Sequence, residues 1–343
     1  MSKQNPKCID LFSGAGGFST GFMQAGFEPI FAVDNWEGAS KTYSYNHPKS
    51  KFICQDIRKI DPIKILKELG IKKSEIDVVV GGPPCQGFSL AGRRNIGDPR
   101  NQLFKEFIKV IDKIEPKVLI MENVKGLLSM KTPQGENVID IVEKEFQDIG
   151  YNVSYKILNA AEYGVPQKRE RVIFIANSLG LENGTLFPKK THGPESQENK
   201  PFNTVRDAIM DITKIPDPKD EWSHKPMEHS EKVKKRLQLM PKNSDLAFDQ
   251  SFLPKSLRRK AFAHNCKRLP LDKPSVTLVP GHYAFPVHPT LPRTITVREA
   301  ARLQTFPDDF LFFGNRDSQA LLAGNAVPVL LARSIAQQLK LFL

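Results

Sequence analysis

One of the four cysteines, Cys85, sits in Gly81-Gly-Pro-Pro-Cys-Gln-Gly-Phe-Ser89, directly after the apolar run Ile76–Val80. A cysteine is most often a small buried hydrophobe, but a loop of glycines and prolines is poor material for a core. Pro83 and Pro84 stiffen the backbone ahead of Cys85 and hold its sulfur in one place. An ordinary thiol has a pKa of about 8.5, which leaves a few per cent thiolate at neutral pH, and nearby cations raise that fraction. Other groups could complete a covalent-catalysis site. Glu122 follows the next apolar run, Val118–Met121, where a carboxyl in apolar surroundings can keep its proton near neutrality. Arg169 and Arg171 are two apart in an extended segment and so share one face. The bland alternatives are a surface glutamate opening a helix and a solvated arginine pair.

A second chemical feature lies at the start of the chain. Cys8-Ile-Asp-Leu-Phe12 runs into Ser-Gly-Ala-Gly-Gly17, a strand entering a glycine-rich turn where backbone N–H groups can approach a ligand closely. Dinucleotide folds share this form. From Cys8 to Ser40 there are four acids (Asp10, Glu28, Asp34, Glu37) and no Lys or Arg. In a chain of net charge +12 that deficit disfavours a pyrophosphate and suits a ligand carrying ammonium and sulfonium groups, as S-adenosylmethionine does. Asp34 ends the second apolar run, where an acid can accept from ribose hydroxyls. Asp56, after the short run Phe52–Cys54, could meet an adenine. Solvated loop or cap roles are the alternatives for both.

These groups need a scaffold that places them at one edge. Apolar runs at Cys8–Phe12, Ile30–Val33, Ile76–Val80, Val118–Met121 and Val172–Ala176 read as buried parallel strands. Helical patterns at Gln102–Ile114 and Asn137–Ile149 lie between them, and the alternation predicts a doubly wound, Rossmann-like α/β sheet. Between Gly184 and Pro292 fall 14 of the 26 prolines, which predicts an irregular insert of loops and short strands. Thr296 and Glu299 have capping-box spacing, and a last helix should begin at Pro328 and run to about Leu341. The expected domains are therefore 1–183 with 290–343, interrupted by a smaller domain over 184–289.

Composition narrows the partners. The charge of +12 points to a polyanion such as nucleic acid, and Lys225–Arg268 alone holds 12 Lys and Arg against four Asp and Glu. That basic part of the insert, with Phe262, should face phosphates and bases. No run of about 18 apolar residues appears, which argues against a membrane span. The polar N-terminus lacks a signal core, so a cytoplasmic protein is expected. The cysteines have no paired spacing, so neither a disulfide scaffold nor a metal site is expected, and His264, His282 and His288 read as structural.

The nonapeptide around Cys85 resembles the catalytic loop of the DNA (cytosine-5) methyltransferases, and Asp10–Gly17 resembles their cofactor motif. The likeness continues at Glu122-Asn-Val124, Gln167-Lys-Arg-Glu-Arg171, Thr296–Gln304 with Phe306-Pro-Asp-Asp309, and Gly324-Asn-Ala-Val-Pro328. These motifs come in the family's order and span nearly the whole chain; the proline-rich insert matches poorly. The resemblance, of the bacterial restriction–modification type, implies S-adenosylmethionine as cofactor, with S-adenosylhomocysteine as product. It implies Cys85 as nucleophile at C6 of a flipped cytosine, Glu122 at the ring's N3, and Arg169 and Arg171 near the base and its O2. The cofactor would lie against Asp10, Phe12, Gly14, Gly16, Gly17, Asp34, Asn35, Asp56, Ile57, Pro83 and Asn325. Asn325 would stand beside the glycine loop and the target nucleotide, with helix capping as its other role. Duplex DNA would meet Gln86, Ser89, Arg93, Arg94, Gln167 and Thr277, with Gln86–Asn101 closing over the base and Arg100 at the phosphates. A monomer is expected, with a separately acting cognate endonuclease as a candidate partner.

Three other readings compete. One branch of the same family acts on transfer RNA, although the full catalytic loop and sizeable basic insert favour DNA. A nicotinamide oxidoreductase is weakened by the acid-rich glycine loop. A DNA-binding protein without activity is weakened by the joint presence of Cys85, Glu122 and the arginine pair.

Overall fold

The computed structural model describes residues 4–84, 103–132, 134–182, 184–212, 221–242, 249–259, 267–279, 281 and 285–343. The chain divides into two units by packing. The first comprises Met1–Asn159, Glu170–Lys189 and Ala332–Leu343; the second comprises Ala160–Arg169 and Lys190–Leu331.

In the first unit, β1 (Lys7–Leu11), α1 (Gly17–Gln24), β2 (Glu28–Asp34), α2 (Glu37–Asn46) and β3 (Lys51–Cys54) alternate, followed by α3 (Pro62–Glu68), β4 (Ile76–Gly81) and α4 (Leu103–Ile114). Then come β5 (Val118–Val124), α5 (Val138–Asp148), β6 (Asn152–Asn159) and β7 (Glu170–Asn177). Among the described residues the strands form one seven-stranded sheet in the order β3-β2-β1-β4-β5-β7-β6. The first five are parallel. They are apolar because a parallel sheet is covered on both faces; Ile9, Leu11, Val78, Val79, Leu119 and Ile120 are fully buried. On α4, Phe104, Phe107, Ile108 and Ile111 fall on one helical stripe and enter the core. Phe104 and Phe107 there meet Phe146 of α5 edge-on, at 5.9 and 6.5 Å between ring centres. The first residue of α3 is Pro62, and the Asp61 side chain accepts from the Ile63 and Lys64 N–H groups, which fixes the start of that helix.

The sheet corrects one expectation. Val172–Ala176 is not parallel: β7 runs antiparallel to both β5 and β6. A strand buried on both sides reads as an apolar run whatever its direction. Its neighbour β6 was not foreseen at all, because as an edge strand it exposes Tyr155, Lys156 and Ile157 in succession and so carries neither an apolar run nor a clean alternation.

The second unit holds α6 (Val205–Ile209), α7 (Glu221–His224), α8 (Glu231–Leu239), α9 (Val297–Leu303), α10 (Arg316–Asn325) and the start of α11 (Val329–Leu339), which passes into the first unit after Leu331. Thr296 caps α9 in the box foreseen: its hydroxyl accepts from Glu299 N–H while the Glu299 carboxylate accepts from Thr296 N–H. By packing, this unit runs on to Leu331. Side chains tie this stretch together and to the earlier part of the unit: Glu299 pairs in a fork with Arg293 at 2.7 Å on both arms, buried Arg298 donates to the Pro307 and Phe310 carbonyls, and Arg302 donates to the Ala208 carbonyl at 3.1 Å. Irregular backbone leaves carbonyls without a ladder partner, and buried arginines answer many of them here. Arg268 alone donates to the carbonyls of Leu237, Met240, His288 and Leu291.

By length and hydropathy Arg316–Leu339 is the one stretch among the described residues that could cross a membrane. However, 61% of its apolar window is buried in the protein, and the chain breaks into α10 and α11 across Ala326–Pro328.

Candidate active site

Strand β4 ends in Gly81, where nothing larger fits: a Cβ there would stand 2.7 Å from the Phe107 ring and 2.8 Å from the Leu11 carbonyl. Gly82, Pro83 and Pro84 follow. They are held by two consecutive residues of β5, whose side chains point to opposite faces. Asn123, buried, donates from Nδ2 to the Pro83 carbonyl at 3.1 Å, while its Oδ1 accepts from Val124 N–H. Glu122 lies against Gly82, so that a Cβ on that glycine would be 3.3 Å from Oε2. The other oxygen, Oε1, pairs with Arg171 Nε at 2.7 Å, both side chains being 14% exposed. The surroundings of Glu122 therefore contain a guanidinium, not the apolar pocket anticipated. Register explains the meeting, because β7 sets Arg171 opposite Val124 and Ile173 opposite Glu122. Cys85, Gln86, Ser89, Arg93, Arg94 and Arg100, with the expected closing loop, lie outside the described residues.

The glycine loop lies at the carboxyl end of β1 in the same unit. Phe12, Gly14 and Gly16 take φ of +59°, +51° and +89°. For Phe12 that left-handed backbone is strained by about 1–3 kcal/mol, a strain that tends to gather at functional sites. Gly16 is pressed by α2: a Cβ would fall 2.5 Å from His47 Cε1 and 2.9 Å from the Tyr43 ring. At Gly14 a Cβ would meet nothing within 4 Å. Gly17 begins α1 and is buried.

Asp10 and Asp34 brace this loop. Asp10 is buried; its Oδ2 accepts from the Ser19 hydroxyl at 2.7 Å and from Ser19 N–H at 3.2 Å. Burial lifts its carboxyl to about 7 against the pull of those bonds, with Asp34 adding to the rise. The Ser19 hydroxyl spends its proton on Asp10, so it accepts from Tyr43 O–H at 2.7 Å, and Tyr43 in turn accepts from Ser50 at 3.3 Å. Asp34 has both oxygens on backbone N–H groups, Oδ2 on Gly14 at 2.8 Å and Oδ1 on Trp36 at 2.9 Å. Burial raises its pKa despite those bonds. Asn35 beside it is exposed. Asp56 pairs with Arg58, whose guanidinium holds the carboxyl at about 2, and Ile57 is buried. Two buried polar atoms at this loop, Asp10 Oδ1 and Ser13 Oγ, have no hydrogen-bond partner. They are acceptors available to a cationic or hydroxyl-bearing ligand.

The second unit contains the remaining candidates. Gln167, expected at DNA, is fully buried. Its Oε1 accepts from Leu278 N–H at 2.9 Å, and its Nε2 donates to Gln304 Oε1 at 3.0 Å and to the Leu303 carbonyl. The side chain is spent on the protein's own backbone because, among the described residues, the segment around Leu278 has one β-bridge, Gln167 to Ser275. Arg169, also buried, donates to the carbonyls of Leu278 and Asn325. Arg169 and Arg171 thus have separate partners. Thr277 donates to the Lys168 carbonyl at 2.7 Å. Asn325 is the last residue of α10, and exposed.

Sequence reasoning gave no role of their own to Asn123, Ser13 and Gln304. Strand alternation next to Glu122 was an available signal for the first; nothing short of the fold marks the other two.

A doubly wound α/β fold, with a glycine loop after β1 and an acid on β5, is thus the class the geometry describes. Residues 6–341 match the family model of the C-5 cytosine-specific DNA methylases, and the chain belongs to that family. The type II methyltransferase M1.HphI of Haemophilus parahaemolyticus is 40% identical over 96% of this chain and 85% of its own length. The type II methyltransferase M.DdeI of Desulfomicrobium norvegicum is 36% identical over 96% and 88%. Among solved structures, a putative DNA modification methyltransferase encoded within an E. coli prophage superposes with a TM-score of 0.75 at 26% identity, covering 97% of this chain and 98% of that one.

Proposed function

We propose that this DNA (cytosine-5) methyltransferase modifies one cytosine within a specific duplex sequence, with Cys85 as nucleophile and S-adenosylmethionine as methyl donor. The observation that carries this reading is the placement of the segment entering Cys85 against β5: Asn123 donates to the Pro83 carbonyl, and the Glu122 carboxylate stands beside Gly82. Cytosine C5 is a poor nucleophile in an aromatic, electron-poor ring. Adding the Cys85 thiolate to C6 breaks the aromaticity and makes C5 enamine-like. Glu122 supplies the acid at N3 where negative charge develops, and Arg171 fixes the direction of its carboxyl. Once C5 has taken the methyl group, loss of its proton to water lets Cys85 leave and restores the ring. The base must leave the helix stack for the thiol to reach it.

The bound cofactor supplies an electrophilic methyl group. The glycine loop fits it: Asp10 Oδ1 and Ser13 Oγ are acceptors without partners, the flank of Gly14 is open, and no cation lies between Cys8 and Ser40. Asp10 and Asp34 brace the loop, with Asp56 and Ile57 at the adenine. Thr277 and the basic stretch Lys225–Arg268 meet DNA. Residues 1–183 with 290–343 form the catalytic domain, and the insert over 184–289 selects the sequence. By analogy with the type II relatives, the enzyme protects cytoplasmic DNA as a monomer beside a cognate endonuclease.

A duplex containing 5-fluorocytosine tests this. Fluorine cannot leave C5 as a cation, so a covalent complex should accumulate with the parent protein and be absent with Cys85→Ser. Methyl transfer to transfer RNA, but not to duplex DNA, would overturn the choice of substrate.

A further inference from the structure

Tyr43 of α2 meets the glycine-loop region twice. Its ring packs where a Cβ on Gly16 would fall, 2.9 Å away, and its hydroxyl stands 2.7 Å from Ser19 Oγ. The donors run one way: Ser19 gives its proton to Asp10 Oδ2, Tyr43 gives its own to Ser19, and Ser50 gives its own to Tyr43. All four side chains are buried. Burial pushes the Tyr43 phenol up, so it stays a donor at physiological pH. A one-way row of hydroxyls strengthens each bond in turn and delivers its polarity to the carboxylate at its end.

Asp10 needs that support. The titratable groups near it are Cys8 on the same strand, Asp34 at the end of β2 and Tyr43 on α2, and each is negative when ionised. Its partners in register on β2 and β4 are Ala32 and Val80, which carry no charge. The two bonds from Ser19 favour the carboxylate over the protonated acid, while burial and Asp34 work against them. Oδ1 is buried and has no hydrogen-bond partner among the described residues, so it is the oxygen open to a ligand's donor. We propose that Ser19 and Tyr43 are positioning residues that keep Asp10 ionised for the cofactor, their row of hydroxyls setting the pH below which the loop loses its grip. This deepens the cofactor reading given above and rests on it. A protonated Asp10 lacks the charge that attracts an ammonium group, and one of its oxygens becomes a donor. Apparent affinity then follows the ionised fraction.

Titration calorimetry of the full chain with S-adenosylhomocysteine, from about pH 5.5 to about pH 8, measures this; the ligand's ammonium and carboxylate keep their charges across that range. In the parent protein affinity should fall at least about tenfold from the upper to the lower end. Asp10→Asn should bind weakly and without that slope. Ser19→Ala should move the break in the profile up by about one pH unit, the worth of one hydrogen bond to a charged group. Tyr43→Phe keeps the ring against Gly16 and should move the break the same way by about half as much. At the upper end both variants should regain affinity towards the parent's, whereas a loss of packing would weaken binding by one factor at every pH. Melting temperature checks the fold, and the two variants stand in for one another if either misfolds. A flat profile in the parent overturns this inference alone. So does a slope that persists in Asp10→Asn, or a break that stays in place in either folded variant. A parent protein that binds no S-adenosylhomocysteine at any pH overturns the cofactor reading, and this inference with it.

Discussion

Two glycines of one loop should fail in opposite ways when each gains a methyl group. Gly16→Ala puts a Cβ 2.5 Å from His47 Cε1 and 2.9 Å from the Tyr43 ring at φ +89°. The backbone costs about 1–2 kcal/mol for any residue but glycine, and displacing two buried, stacked rings adds about 1–3 kcal/mol. The loss of about 2–5 kcal/mol is a large part of the stability of an ordinary domain, and it should lower Tm by on the order of 5–15 °C. Gly14→Ala carries only the backbone cost of about 1–2 kcal/mol, because its Cβ points into open space. That space is where the cofactor is proposed to lie, so this variant should lose at least about tenfold in affinity for S-adenosylhomocysteine while melting within a few degrees of the parent. Differential scanning fluorimetry and calorimetry on the same preparations separate the two effects. Parent-like cofactor affinity in Gly14→Ala would remove the loop from the binding site. Parent-like melting in Gly16→Ala would show that the close approach of α2 is not a constraint.

Two further outcomes follow from the geometry. Asn123→Ala releases the Pro83 carbonyl, and the rate of covalent complex formation on 5-fluorocytosine DNA should fall about 10–100-fold with DNA affinity little changed; an unaltered rate would mean that Cys85 is positioned without it. The pH dependence of stability tests the buried loop. Asp10, raised to about 7, binds more protons folded than unfolded, so its contribution to stability falls as pH rises from about 4 to 7. His47 and His288, lowered by burial from 6.5 to about 4, act oppositely and lose stability as pH falls through that window. Asp10→Asn removes the first contribution and leaves the second, so its Tm should drop more steeply than the parent's between pH 7 and 5. An identical slope would mean that Asp10 is ionised across the whole window.

The parallel half of the sheet was legible because burial on both faces demands continuous apolar runs, and the motifs sit at the ends of those runs. Strand direction was not legible: β7 is as apolar as β4, and nothing in its residues says that it runs the other way. β6 was hidden for the contrary reason, since an edge strand can expose three residues in a row. Glu122 and Asp34 stood out by their place at the end of an apolar run, but their partners did not. Arg171 reaches Glu122 through the antiparallel register of β7, and Gly14 reaches Asp34 across the loop; both are distant in sequence. Gln167 shows the limit best. Its neighbours Arg169 and Arg171 are cations that suit DNA, and only the fold reveals that the amide turns inward.

The first unit is not completed by its own early residues. Ala332–Leu343 belongs to it, with Lys340 donating to the Ala25 carbonyl and Gln338 to that of Thr185. During synthesis the sheet must therefore wait, with this flank uncovered, until the whole intervening unit has left the ribosome. Joining so distant a segment carries a high loop-closure cost. Shortening the chain from the far side should accordingly damage the part made first: losing α11 would strip a wall from the first unit while leaving most of the second unit's own contacts in place.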